Sequence, residues 1–163
     1  MKATVLVAAL FLISCNSQQS DKLTQQQMDQ INSELNTIGD SVTARYQRLD
    51  AVGVLEYYSP DLVVATDEGV FLDFQTYKKA WIDLNNAVAT VKVTSIRGKR
   101  IYPANDVFVS TAVFKDETTL KSGDKITYDQ HTFTLVYKKI AGSWKVIYSH
   151  ASGIPVMQKP GKN

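Results

Sequence analysis

The second half of this 163-residue chain constrains it most, because everything after Asn86 reads as long β-strands. Segments near 88–101, 106–119, 125–139 and 144–153 are rich in Val, Thr, Tyr and Phe. Short turns part them at Pro103-Ala104-Asn105, Lys121-Ser122-Gly123-Asp124 and Ala141-Gly142. Long runs joined so tightly pair with their sequence neighbours, which predicts an antiparallel meander. One face of such a sheet must be buried against something else.

Helices supply the cover. Thr24 offers an N-cap and Gln27, three residues on, completes a capping box. Met28, Ile31, Leu35, Ile38, Val42, Tyr46 and Leu49 then recur at intervals of three and four, which predicts an amphipathic helix over about 25–48. A coiled-coil seam would share this spacing, but the run is short and holds Gly39, so packing onto the sheet is expected. Asp50 caps a second, short helix carrying Val52, Leu55 and Tyr58, which Ser59-Pro60-Asp61 closes. The run 62–66, the turn Asp67-Glu68-Gly69 and Val70-Phe71-Leu72 form a small hairpin. Asp73 caps a third helix with Phe74, Tyr77, Trp81 and Leu84 at helical spacing.

The order is ααββαββββ, which places the chain in the α+β class. Three N-terminal helices are expected to pack in the concave face of a curved antiparallel sheet, as one domain over 24–156, with a flexible tail at 157–163. A sheet curled around helices leaves a cone with an open mouth, a natural ligand site.

The N-terminus speaks to location. Met1-Lys2, an apolar run from Ala3 to Ile13 and then Ser14 and Cys15 have the form of a secretory signal peptide. The apolar run is too short to span a bilayer, which takes ~20 residues. Leu12-Ile13-Ser14-Cys15 resembles the bacterial lipobox, in which the cysteine is lipidated and becomes the mature N-terminus. Residues 1–14 are therefore expected to be removed and 15–23 to serve as a lipidated tether. Cys15 is the sole cysteine, so no disulfide framework can form. The expected home is the cell envelope. By resemblance to proteobacterial sorting, Asn16 after the cysteine points to the periplasmic side of an outer membrane.

Charge excludes one class of partner. The formal net charge is +2 and the only basic cluster is Arg97-Gly98-Lys99-Arg100, read as a solvated strand end. No electrostatic footprint for nucleic acid follows. No phosphate loop, nucleophile elbow or helix-borne His-Glu pair occurs.

Three local patterns carry a family resemblance. They are the segment Asp50 to Asp61 running into Leu62-Val63-Val64, the Asp67-Glu68-Gly69 hairpin followed by a helix ending near Trp81, and Gly142-Ser143-Trp144-Lys145-Val146-Ile147 leading to His150-Ala151-Ser152. Together with the element order, they resemble the nuclear transport factor 2-like superfamily, which includes SnoaL-like polyketide cyclases and ketosteroid isomerases. The resemblance spans about residues 25–154. It implies the cone fold but no single activity, since the superfamily hosts isomerases, dehydratases, hydrolases and binding modules. The isomerase set, a strand-borne aspartate base with a tyrosine and carboxylic acid oxyanion hole, has no match in this sequence. An Asp-Arg-Asp hydrolase chain would have to draw on Arg97 and Asp129 without a motif to support it.

The last hairpin offers the sharpest chemical clue. Trp144, Val146, Tyr148, His150 and Ser152 alternate along one strand, as His131, Phe133, Leu135 and Tyr137 do along the other, and both sets are expected to face inward. A two-residue turn at Ala141-Gly142 would pair Tyr137 with Val146, Leu135 with Tyr148, Phe133 with His150 and His131 with Ser152. His131 and His150 then become diagonal neighbours on the concave face, with Asp129 one inward position further. They read either as an acid–base pair or as core-edge histidines satisfied by nearby hydroxyls. Ligands on adjacent strands without a helical pair are a weak metal signature, so neither metal nor cofactor is expected. Tyr57, Phe71, Trp81, Phe114, Phe133 and Tyr148 are the expected pocket walls, and Trp144 is expected at the sheet edge.

The leading functional expectation is a lipid-anchored envelope module that binds a small, partly apolar ligand in the cone. The alternative is a cofactor-independent lyase or isomerase using His150, His131 and Asp129. A third is an assembly module that forms a homodimer through the outer sheet face, with Val107, Val109, Thr111 and Val113.

Overall fold

The computed structural model describes residues 23–101 and 106–160, with side chains 95–97 and 99–101 left out of the description. The expected signal peptide over 1–14, Cys15, the expected tether as far as Lys22, the turn expected at Pro103-Ala104-Asn105 and residues 161–163 therefore lie outside the described residues.

Among the described residues three helices, α1 (Gln25–Gln47), α2 (Ala51–Leu55) and α3 (Phe74–Ala87), accompany seven strands. These are β1 (Tyr58–Ala65), β2 (Phe71–Asp73), β3 (Val88–Ile101), β4 (Val107–Leu120), β5 (Lys125–Ile140), β6 (Ser143–Ser152) and β7 (Val156–Gln158). The strands form one sheet in the order β2-β1-β6-β5-β4-β3, with β7 paired to β5. Among the described residues no helix is long and apolar enough to cross a membrane.

Local signals act where they stand. Thr24 accepts from the Gln27 amide at 3.2 Å while its own amide donates to the Gln27 side chain at 2.8 Å, closing the capping box. Asp50 and Asp73 cap α2 and α3 through the amides of Gly53 and Thr76. The α1 stripe turns inward. Leu35 is fully buried, and Ile31, Ile38, Val42 and Tyr46 pack on a core of Val54, Tyr58, Leu62, Val64, Phe108, Tyr137, Trp144 and Val146. Positive φ at Ala141 (48°) and Gly142 (83°) builds the two-residue turn that joins β5 to β6.

Four expectations need correction. The sheet is mixed rather than wholly antiparallel, because β1 runs parallel to β6. Tyr58 opens β1 instead of ending α2, and Pro60 sits inside that strand at an irregularity in the β1–β6 pairing, where a missing amide is tolerated. The tail from 157 is not free, since Val156–Gln158 pairs with Thr127 to Lys125 of β5. Trp144 is core rather than edge, and its indole N–H donates to Glu34 at 2.8 Å, which holds that carboxyl below its ordinary range.

Candidate functional site

Two β-bulges decide which side chains share the concave face. In β4–β5, Phe114 pairs with His131 and Asp116 with Tyr128, so β5 carries one residue more than β4 between these pairs. In β5–β6, Tyr137 pairs with Val146 but Val136 pairs with Tyr148, so β6 carries an extra residue at Ile147. Each extra residue inverts the alternation beyond it.

The first bulge brings Tyr128 and His131 to one face and turns Asp129 away. The Asp129 side chain is 78% exposed and pairs with Lys115 at 3.2 Å. The second bulge separates the histidines. Phe133 stands opposite Ala151 and Thr134 opposite His150, so His150 leaves the sheet on the outer face. There its Nε2 lies 3.9 Å from Asp67 in the β1–β2 turn. His131 and His150 do not form a pair. The expected register holds at Tyr137–Val146 and slips by one residue beyond it.

What the fold brings to His131 instead is Asp116. The Nδ1–H of His131 donates to Asp116 Oδ2 at 2.5 Å, with the two side chains 17% and 7% exposed. The pair lies in the wall of a cavity of about 350 Å³ between the helices and the sheet. From the helices come Leu35, Val42, Tyr46, Tyr77, Trp81 and Leu84; from the sheet come Ala112, Phe114, Phe133, Leu135 and Tyr137. The walls are thus aromatic and aliphatic, with His131 and Asp116 as a polar station among them.

Tyrosines line the rest. Burial, and then the charge of Asp116, push the Tyr46 phenol up to about 12, against which a hydrogen bond with Thr118 works. Burial also raises the Tyr58 and Tyr77 phenols, whose rings lie 5.7 Å apart. All three remain neutral donors near pH 7.

Of the expected pocket walls, Trp81, Phe114 and Phe133 line this cavity. Tyr57 instead lines an open cleft of about 620 Å³ with Glu34, Trp144 and Lys145, under the Arg45 guanidinium. Phe71 is 69% exposed on the short edge strand. Tyr148, opposite Val136 and Val63, stands on the outer face with His150. Val109, Thr111 and Val113 alternate with the cavity-lining Ser110, Ala112 and Phe114, and Val107 precedes the buried Phe108, so the four share the opposite face of the sheet, where Val113 is nonetheless buried. Asp116 was not among the expected site residues. Its signal was an acid in phase with Phe114 on the inward side of β4.

In chemical terms the pair could act as an oriented base. A neutral imidazole that donates Nδ1–H to a carboxylate presents Nε2 as a proton acceptor, and the carboxylate stabilises the imidazolium that forms. Among the described residues no group of three or more His, Cys, Asp or Glu side chains is arranged to hold a metal ion.

Solved structures share this architecture at low identity. A provisionally assigned scytalone dehydratase from Novosphingobium aromaticivorans superposes with a TM-score of 0.74 at 7% identity, covering 86% of this chain and 94% of its own. A type 2 hexachlorocyclohexane dehydrochlorinase gives 0.68 at 8%, covering 86% and 95%. A ketosteroid isomerase-like protein from Erwinia carotovora atroseptica gives 0.63 at 14%, covering 75% and 95%. These likenesses show the nuclear transport factor 2-like α+β fold, whose members include dehydratases, isomerases and binders of small ligands. No match is found among curated proteins. The sequence itself matches the SnoaL-like domain over residues 35–157, and the chain belongs to that family.

Proposed function

We propose that the cavity binds a small, largely apolar molecule and that His131, oriented by Asp116, takes a proton from it in a cofactor-independent elimination or isomerisation. The observation that carries this reading is the His131–Asp116 hydrogen bond in the wall of an otherwise aromatic and aliphatic cavity. In an elimination the proton passes to Nε2, the C–H electrons form a double bond, and the leaving group departs from the neighbouring carbon. In an isomerisation the same proton returns to a different carbon. The neighbouring dehydratase and dehydrochlorinase folds are compatible with either course.

Retention without turnover is the second reading, favoured by the predominance of apolar surface in the cavity wall. Incubation with 1-tetralone in deuterium oxide separates the two, because exchange of its α-protons reports proton abstraction. Quenching of Trp81 reports binding alone. Exchange lost in His131→Gln with quenching retained supports the base. Quenching without exchange in the wild type supports retention.

We further infer that the protein works in the cell envelope, held by lipid on Cys15. The Leu12-Ile13-Ser14-Cys15 run and the absence of any other cysteine support this.

A further inference from the structure

We propose that Tyr128 is a positioning residue for His131, and that the missing side chain at Gly153 is what lets it lie against the imidazole. The proposal rests on the reading of His131 as the proton acceptor. Strand β5 pairs with β6 as far as Thr132–Ser152 and with β7 from Thr127–Val156. Between these pairs the edge is broken at Gly153-Ile154-Pro155, opposite the stretch where β5 carries its extra residue. Tyr128 and His131 both reach the cavity face there, and their rings stack at 4.2 Å between centroids and 13° between planes.

Gly153 backs this stack. A Cβ at that position would stand 2.9 Å from Tyr128 Cδ1, 3.0 Å from the Gln130 carbonyl oxygen and 3.3 Å from His131 Cδ2. Any side chain there would push the rings inward or apart. Phe133, tilted by 48° at 4.2 Å, bounds the imidazole on another side.

The Asp116 hydrogen bond alone does not fix an imidazole, because its terminal torsion is broad and a half-turn exchanges the nitrogens with the ring carbons. A flat stack removes the space that such a turn sweeps through. Tyr128 also stays a neutral ring, since burial, then the charges of Asp67 and Asp116, push its phenol up. The stack therefore sets where Nε2 points, while Asp116 sets which nitrogen keeps the proton.

The test uses full-length protein with labelled imidazole nitrogens, read by long-range proton–nitrogen correlation, beside 1-tetralone exchange. Wild type and Tyr128→Phe should show His131 as a single Nδ1–H tautomer, with exchange rates equal within about twofold. Tyr128→Leu should give averaged imidazole signals and exchange about tenfold slower, at an unchanged half-saturating tetralone concentration. Gly153→Ala keeps the phenol but displaces it, and should reproduce that loss if Tyr128→Leu fails to fold. A single unchanged tautomer and rate in Tyr128→Leu, or in Gly153→Ala, would overturn the proposal. Absence of any His131-dependent exchange in the wild type would instead defeat the functional reading, and the imidazole signals would still decide the positioning role.

Discussion

The Nδ1–H of His131 donates to Asp116 at 2.5 Å across two neighbouring strands, in the wall of an aromatic cavity. Each side chain on its own would be a poor resident there. A buried carboxylate needs a donor, and a buried imidazole needs a partner that selects its tautomer. Paired, they satisfy one another and leave one nitrogen for a ligand.

That mutual dependence predicts the behaviour of Asp116→Asn. The substitution keeps the volume but replaces an acceptor-only group with an amide. Thermal or urea denaturation should show a loss of about 1–3 kcal/mol, with tetralone exchange reduced and Trp81 quenching preserved. Equal exchange in the variant and the wild type would mean that the carboxylate does not serve the base.

Alkaline stability follows from Tyr46. Burial holds its phenol at about 12 in the folded chain, above the ordinary tyrosine value of about 10. The folded state therefore favours the neutral form, and the contribution is complete below about pH 10 and is lost as the pH climbs toward 12. The slope through that window is about 1.4 kcal/mol per pH unit for this one group. Denaturation at a series of pH values should show a shallower alkaline decline in Tyr46→Phe than in the wild type.

Core packing predicts a plain cost for Leu35→Ala. This side chain is 1% exposed and carries the α1 stripe into the sheet. Its truncation should cost ~2–5 kcal/mol. The melting midpoint should not move with protein concentration, as it would if α1 formed a seam between chains.

Lipidation predicts a difference between wild type and Cys15→Ala in metabolic labelling with a palmitate analogue. Label should enter the wild type only. Equal labelling of both would remove Cys15 as the anchor.

The fold was legible wherever signals were local. Thr24 with Gln27, the spacing of Ile31, Leu35, Ile38 and Val42, and Ala141-Gly142 each dictate structure within a few residues, and each behaves as its chemistry requires. The strand pairing near the turn, Tyr137 with Val146, followed from the same locality. The site was half legible. His131 and Phe133 were found by strand alternation, Trp81 by helical spacing and Phe114 as an aromatic within a strand, but His150, Tyr148 and Asp129 were misplaced by alternation. The cause is the same in each case. A bulge at Ile147, or in the stretch before His131, adds one residue without a glycine, a proline or a break in composition to announce it. The parallel docking of β1 on β6 was equally silent, because the two strands lie far apart in the sequence and no local signal pairs them.

In the proposed reaction, proton abstraction belongs to His131 and not to His150. The most direct measurement is the rate of α-deuterium incorporation into 1-tetralone by wild type, His131→Gln and His150→Gln at one pH. Incorporation should be lost in His131→Gln and run at the wild-type rate in His150→Gln, whose ring lies on the outer face beside Asp67. A wild-type rate in His131→Gln, or a loss confined to His150→Gln, would contradict that assignment.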